Sequence, residues 1–147
     1  MNMKKIFLLL AAATFIVSCA AKKEIKEDQT LLNGTWELAG ASFSKDLAKD
    51  FKEGLPTLTF ENAENLSVYG YDGCNRINGK AVLKKNQEIS FPPNFISTMM
   101  ACNKVKSEDF KSGLTQVKSY DLKNNVLILK SDTGEMKFHK VTLNGNW

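Results

Sequence analysis

Apolar and polar positions trade places at short intervals through most of the chain, and the alternating runs are bounded by turn-forming residues. Period two marks strands that bury one face. Residues 32–38 predict a first strand, Thr57-Leu58-Thr59-Phe60 a second, and residues 66–71 its return across the Asn62-Ala63-Glu64-Asn65 turn. Asp72-Gly73 predicts another turn. In residues 75–83, Ile77, Gly79, Ala81 and Leu83 share one face while Arg76, Asn78, Lys80 and Val82 share the other. Glycine and alanine on the inward face suit a tightly curved sheet. Lys84-Lys85-Asn86 turns the chain into a short strand over residues 88–91. Pro92-Pro93-Asn94 forbids regular pairing, so residues 92–104 predict an ordered loop. Three strands close the pattern, at 119–122, 126–130 and 135–141, with Asn124-Asn125 and Asp132-Thr133-Gly134 as hairpin turns.

Helical spacing intrudes twice. Ser44 predicts the cap of a short helix, with Leu47 and Phe51 one turn apart and Gly54 and Pro56 ending it. Ser107, followed by Glu108 and Asp109, predicts the start of a longer one, because a hydroxyl can accept an orphan N–H and acids suit the positive dipole end. Phe110, Leu114 and Val117 give that helix its buried stripe. The expected fold is mainly β: an antiparallel sheet of about eight strands with one substantial helix packed on it. Closing that sheet into a small barrel would remove its open edges.

Ahead of residue 31 the pattern changes in kind. Lys4 and Lys5 precede an apolar stretch at residues 6–17, the layout of a secretory signal. At about 1.5 Å per residue the stretch covers roughly 18 Å, short of the ~30 Å hydrocarbon core. Ile16-Val17-Ser18-Cys19 resembles a bacterial lipobox, which implies removal of residues 1–18 and attachment of acyl chains to Cys19. Two or three chains, at about 0.8 kcal/mol per buried CH₂, make such an anchor nearly permanent. Ala20, where an aspartate would retain a lipoprotein at the inner membrane, points to the outer membrane. Residues 19–30 read as a lipidated, charged tether spanning at most ~35 Å. The expected domain then covers residues 31–142, and residues 143–147 form a tail whose Leu143-Asn144-Gly145-Asn146-Trp147 echoes Leu32-Asn33-Gly34-Thr35-Trp36.

Composition narrows the partners. Of 147 residues, 129 remain after cleavage, enough for one domain with a real core. The formal charge of +4 falls to +2 with the loss of Lys4 and Lys5, and Arg76 is the single arginine, which argues against nucleic acid. With Cys19 assigned to lipid, Cys74 and Cys102 remain as an even pair in an exported chain, where a disulfide is permitted. Two buried free thiols are the alternative. Zinc is disfavoured: only His139 could join the two cysteines, and no CxxC or HxxxH spacing occurs. No cofactor is expected.

A set of short motifs in order then resembles one family. Leu32-Asn33-Gly34-Thr35-Trp36-Glu37-Leu38 looks like the opening strand of the META/HslJ-like family of bacterial lipoproteins. Gly73-Cys74-Asn75-Arg76 with Gly79 looks like its GCNxxxG element, and Thr98-Met99-Met100-Ala101-Cys102 like its TxMAC element. The resemblance implies a small, partly open β-barrel of lipocalin-like topology carrying a helix, and some members are heat-induced envelope proteins. No reaction is established for such proteins. The motif residues themselves read as scaffold: Gly34 as part of the opening-strand motif, Trp36 plugging the barrel end, Gly73 in a tight turn, Asn75 bonding local backbone, and Thr98, Met100 and Ala101 in a loop fastened to the GCN corner.

The function expected from these features is a non-catalytic cell-envelope lipoprotein, held to a membrane by its N-terminal lipid, that binds a protein partner or maintains the envelope under stress. The alternative is a lipocalin-like carrier of a small apolar ligand, since Gly34-Thr35-Trp36 matches the GxW pattern of lipocalin first strands. Catalysis is not expected. His139 alternates with Met136 and Phe138 and so faces solvent, and Asp72 and Asp132 sit in turns as ordinary turn formers.

Overall fold

Alternation along the chain becomes a coiled antiparallel sheet. The computed structural model describes residues 22–23, 30–61 and 66–142. The expected signal segment, Cys19, most of the tether, the 62–65 turn and the 143–147 tail lie outside the described residues. In chain order the elements are β1 (Gly34–Ala41), α1 (Leu47–Asp50), β2 (Thr57–Glu61), β3 (Ser67–Tyr71), β4 (Arg76–Lys80), β5 (Val82–Leu83), β6 (Ile89–Ser90) and β7 (Ile96–Ser97). They continue with α2 (Ser107–Thr115), β8 (Ser119–Lys123), β9 (Val126–Lys130) and β10 (Glu135–Lys140).

Eight strands form one sheet in the order β7-β4-β3-β2-β1-β10-β9-β8, and β5 and β6 form a separate ribbon. The fold is mainly β, as expected, with ten strands among the described residues in place of about eight. The sheet is not closed into a barrel: β7 and β8 are its two ends. The β5–β6 ribbon reaches toward the β8 end, where the Ile89 N–H donates to Lys118 O (3.1 Å) and the Tyr120 N–H to Gln87 O (3.0 Å). This contact covers part of one edge.

Several boundaries differ from the sequence reading, each for a local reason. Strand β1 starts at Gly34 because Leu32, wholly buried, lies in a helical turn whose carbonyl accepts the Trp36 indole N–H at 2.8 Å. Asp46, not Ser44, caps α1 by accepting the Lys49 N–H, and the Ser44 hydroxyl donates instead to Asp50 at 2.7 Å. That hydrogen bond, followed by the Lys106 ammonium, holds the Asp50 carboxyl below the ordinary carboxylate range. Ser107 is the first helical residue of α2, and the cap position belongs to Lys106, which has no capping side-chain bond. The expected 75–83 strand breaks at Ala81, whose N–H donates to Leu66 O, and the pairing passes from β4 to β5. Within the expected 92–104 loop, residues 96 and 97 pair with β4 as β7.

Inward positions fill the concave side. Trp36, Leu58 and Ile77 lie on one cross-sheet row with Gly70, while Leu38, Phe138 and Leu127 lie on another. Helix α2 closes the concavity with Phe110 and Leu114, both wholly buried, and the Phe110 and Phe138 rings meet edge to face at 6.4 Å. Fully burying a side chain of this size contributes about 1.5–3 kcal/mol, so these rows anchor the sheet. Asn124 and Asn125, at φ 52° and 60°, give the β8–β9 hairpin the left-handed turn that matches strand twist.

The register also separates two ends. Gly34, Phe60, Val68 and Gly79 align across one end, and Glu37, Thr57, Tyr71 and Arg76 across the other. The chain enters the sheet at the Gly34 end.

Candidate functional site

The Arg76 end is built around a sharp corner between β3 and β4. Gly73 adopts φ +96°, and a Cβ there would stand 2.4 Å from Phe51 Cδ1, so both backbone and space require glycine. Asp72 is wholly buried, and its Oδ1 accepts the N–H groups of Cys74 (2.9 Å) and Asn75 (2.6 Å). Its Oδ2 makes no hydrogen bond, and the Lys111 ammonium of α2 lies 3.7 Å away, an ion pair just beyond bonding distance. Lys111 also pairs with Glu108 at 2.7 Å. Asp72 therefore shapes the corner and ties it to the helix, more than its reading as an ordinary turn former allowed.

Asn75 corrects its expectation too. Its side chain bonds a distant loop and not local backbone: Oδ1 accepts the Met100 N–H (2.6 Å) and the Thr98 hydroxyl (2.9 Å), while Nδ2 donates to Met100 O (3.2 Å). Thr98 Oγ1 in turn accepts the Arg76 N–H at 3.1 Å. Cys74 and Cys102 are joined by a disulfide with Cα atoms 5.8 Å apart. Residues 98–102 are thus fastened at Thr98 and at Cys102, and two hydrogen bonds with the Asn75 amide fix Met100 in the middle.

That fastening holds apolar groups in water. Met99 is 99% exposed, Met100 64% and Ile96 78%. Isolated exposed apolar residues are common, but these three stand close together in sequence at one end of the sheet.

Beside this loop the outer face of the sheet forms a groove of about 640 Å³. Two register rows cross its floor: Thr59, Tyr69, Asn78 and Ile96, then Thr57, Tyr71 and Arg76. Gly70 lies between the two tyrosines, and a Cβ there would stand 1.9 Å from Thr57 O. The strands close that tightly only over a glycine. The Tyr69 hydroxyl donates to Glu61, which raises its pKa, and burial raises that of Tyr71, with Glu53 and Asp72 adding to it. Among the described lining residues Arg76 is the one charged group.

The structure brings together Gly73, Cys74, Asn75, Thr98, Met100, Ala101 and Cys102, and places Gly34, Trp36 and Gly79 elsewhere. Trp36 is wholly buried, its indole N–H bonded to Leu32 O, with the Lys140 ammonium 5.1 Å from its ring centroid. Gly79 leaves room for Pro92 and Phe95, which a Cβ would meet at 2.8 and 3.0 Å. Cys19 lies outside the described residues. Tyr69, Tyr71 and Gly70 were missed as site residues; the alternation Tyr69-Gly70-Tyr71 was the available signal, with two rings on one face and no side chain between them.

The family model of the META domain matches residues 29–142. The chain belongs to the META domain family. The corner and its fastened loop therefore sit inside the META domain, as does the whole groove. Among solved structures, the domain is similar to a protein from Burkholderia xenovorans, determined by NMR, at 22% identity and TM-score 0.61, covering 78% of this chain and 86% of that one. A crystal structure of a duf4847 family protein from Bacteroides vulgatus matches at 17% identity and TM-score 0.57, covering 74% and 93%. A further NMR structure matches at 19% identity and TM-score 0.59, covering 80% and 97%. Likeness at these identities is likeness of fold. No curated protein matches the chain.

Proposed function

We propose that this META domain protein is a non-catalytic lipoprotein of the bacterial envelope, anchored through acylated Cys19 on the outer membrane, and that it works by binding a protein partner. The observation that carries the reading is the Cys74–Cys102 bridge, which suits an oxidising compartment and so fits a chain that opens with an export signal. Binding is favoured over chemistry because the Asn75 amide and the Thr98 hydroxyl are committed to holding a loop. His139, the single histidine, stands exposed on β10. A stress-related role in envelope maintenance is compatible with a binder of this kind. The carrier reading would need the space that Trp36, Phe60, Phe110 and Phe138 occupy, all wholly buried, so binding is assigned to the outside of the sheet.

The test is metabolic labelling with palmitate followed by envelope fractionation. Wild-type protein is expected to carry label in the outer-membrane fraction, and Cys19→Ser to lose both label and processing. Full-length, unlabelled wild-type protein among soluble cytosolic proteins would overturn the proposal.

A further inference from the structure

We infer that the free edge of β7 accepts an extended acidic peptide as an added strand, with one peptide carboxylate held by Arg76 and apolar side chains laid against Ile96 and Met99. This deepens the protein-binding reading above and rests on it.

The backbone argument comes first. Strand β7 is the last of its sheet, with β4 on one side and no described strand on the other. The Thr98 N–H donates to Arg76 O on β4. Backbone groups alternate sides along a strand, so Ser97, one residue earlier, turns its N–H and C=O away from β4. Among the described residues nothing accepts the Ser97 N–H. An open donor and acceptor on a terminal strand are matched by the main chain of another extended segment. Neither a lipid headgroup nor a sugar supplies such a row.

Charge selects the kind of peptide. Arg76 lies on the strand next to β7, is exposed, and makes no ion pair among the described residues. The groove that it lines contains no acid among the described lining residues. An added strand would run about 10 Å from β4, two strand spacings, a gap that an arginine and a carboxylate side chain can close between them. The guanidinium fork suits a carboxylate bidentately.

The apolar contacts complete the surface. Ile96 projects from β7 on the groove side, level with Asn78 and Tyr69, and Met99 lies just beyond the strand's end. Methionine adapts to differing partner side chains. Because the disulfide and Asn75 already hold residues 98–102, less ordering entropy is lost on binding.

The test uses the full chain purified from cells and three end-blocked hexapeptides, alternating Val-Glu, Val-Gln and Val-Lys. The Val-Glu peptide is expected to bind saturably and to slow amide exchange at Ser97, with binding weakened by added salt. The Val-Gln peptide should bind about tenfold more weakly, and Arg76→Gln should erase the difference between the two. Ser97→Pro, tolerated on an edge strand, removes the outward N–H and should abolish binding of all three peptides with an unchanged near-ultraviolet circular dichroism spectrum. Should that variant fail to fold, Arg76→Gln decides alone. Equal affinities for the three peptides, no protection at Ser97, or Arg76-dependent binding of phosphatidylglycerol vesicles in place of peptide would each overturn the inference. Palmitate incorporation is scored separately: its absence sinks the anchor and leaves the peptide result standing, whereas labelled protein that ignores the peptides sinks only the docking edge.

Discussion

Asn75 commits both ends of its amide to Met100, 25 residues downstream, and also receives the Thr98 hydroxyl. Truncation to alanine leaves these groups without a partner, at roughly 2–3 kcal/mol if water cannot replace it. Asn75→Ala is therefore expected to lower stability in urea by that amount and to speed amide exchange at Met100, while Asn75→Asp keeps one acceptor but sets a carboxylate oxygen against the Met100 carbonyl and is expected to be no more stable than the alanine variant. The sequence displayed these residues as motif members, yet the partner of Asn75 was not legible in it. Asparagine next to a turn satisfies local rules by bonding nearby backbone, and only the assembled corner reveals a different partner. Asp72 was concealed in the same way. An acid before glycine looks like a solvated turn former until helix α2, contributed from beyond residue 106, covers it.

At the scale of elements, alternation served well where strands were long and flanked by turn residues. Predicted strands at 126–130 and 119–122 match β9 (Val126–Lys130) and β8 (Ser119–Lys123) to within a residue. Strand β7 escaped because two residues carry no periodicity and Pro92 and Pro93 stand just ahead of it. Its pairing is imposed by Asn75 and the disulfide, both of which lie outside the strand. The helix caps moved because the Ser44 hydroxyl donates to Asp50 and leaves the first-turn N–H of α1 to Asp46, while Ser107 lies inside the first turn of α2. Gly70 carries the most direct prediction at this scale. Gly70→Ala drives a Cβ into the Thr57 carbonyl and should cost about 3 kcal/mol or more, with β2 and β3 forced apart. Gly40→Ala is the control: its Cβ would meet only Lys137 Cβ at an ordinary 3.8 Å, and the effect on thermal stability should be within about 0.5 kcal/mol.

For the molecule as a whole, the mainly β architecture and the META assignment were both readable, because they rest on distributed signals: recurring turns, inward small residues and motifs in order. A partly open sheet was expected from the family resemblance, but which edge stays open was not readable. Whether a coiled sheet seals its last edge depends on how far β5 and β6 reach toward β8, a matter of three-dimensional curvature that no short window encodes. The bridge between Cys74 and Cys102, 28 residues apart, constrains the unfolded chain by about 3.5 kcal/mol on the loop-entropy model. The double variant Cys74→Ser, Cys102→Ser is expected to unfold at correspondingly lower denaturant, and circular dichroism melts of oxidised and reduced wild type should differ by a similar amount.

The placement of β1 between β2 and β10 carries a consequence for biogenesis. A ribosome or a translocation pore delivers β1 early and β10 last, so one flank of the nascent strand stays unmatched until nearly the whole polypeptide has emerged. The β1–β10 pairing therefore cannot form until the residues of β10 are available. A premature stop ahead of Glu135 would strip β1 of its second neighbour and leave a product destined for proteolysis.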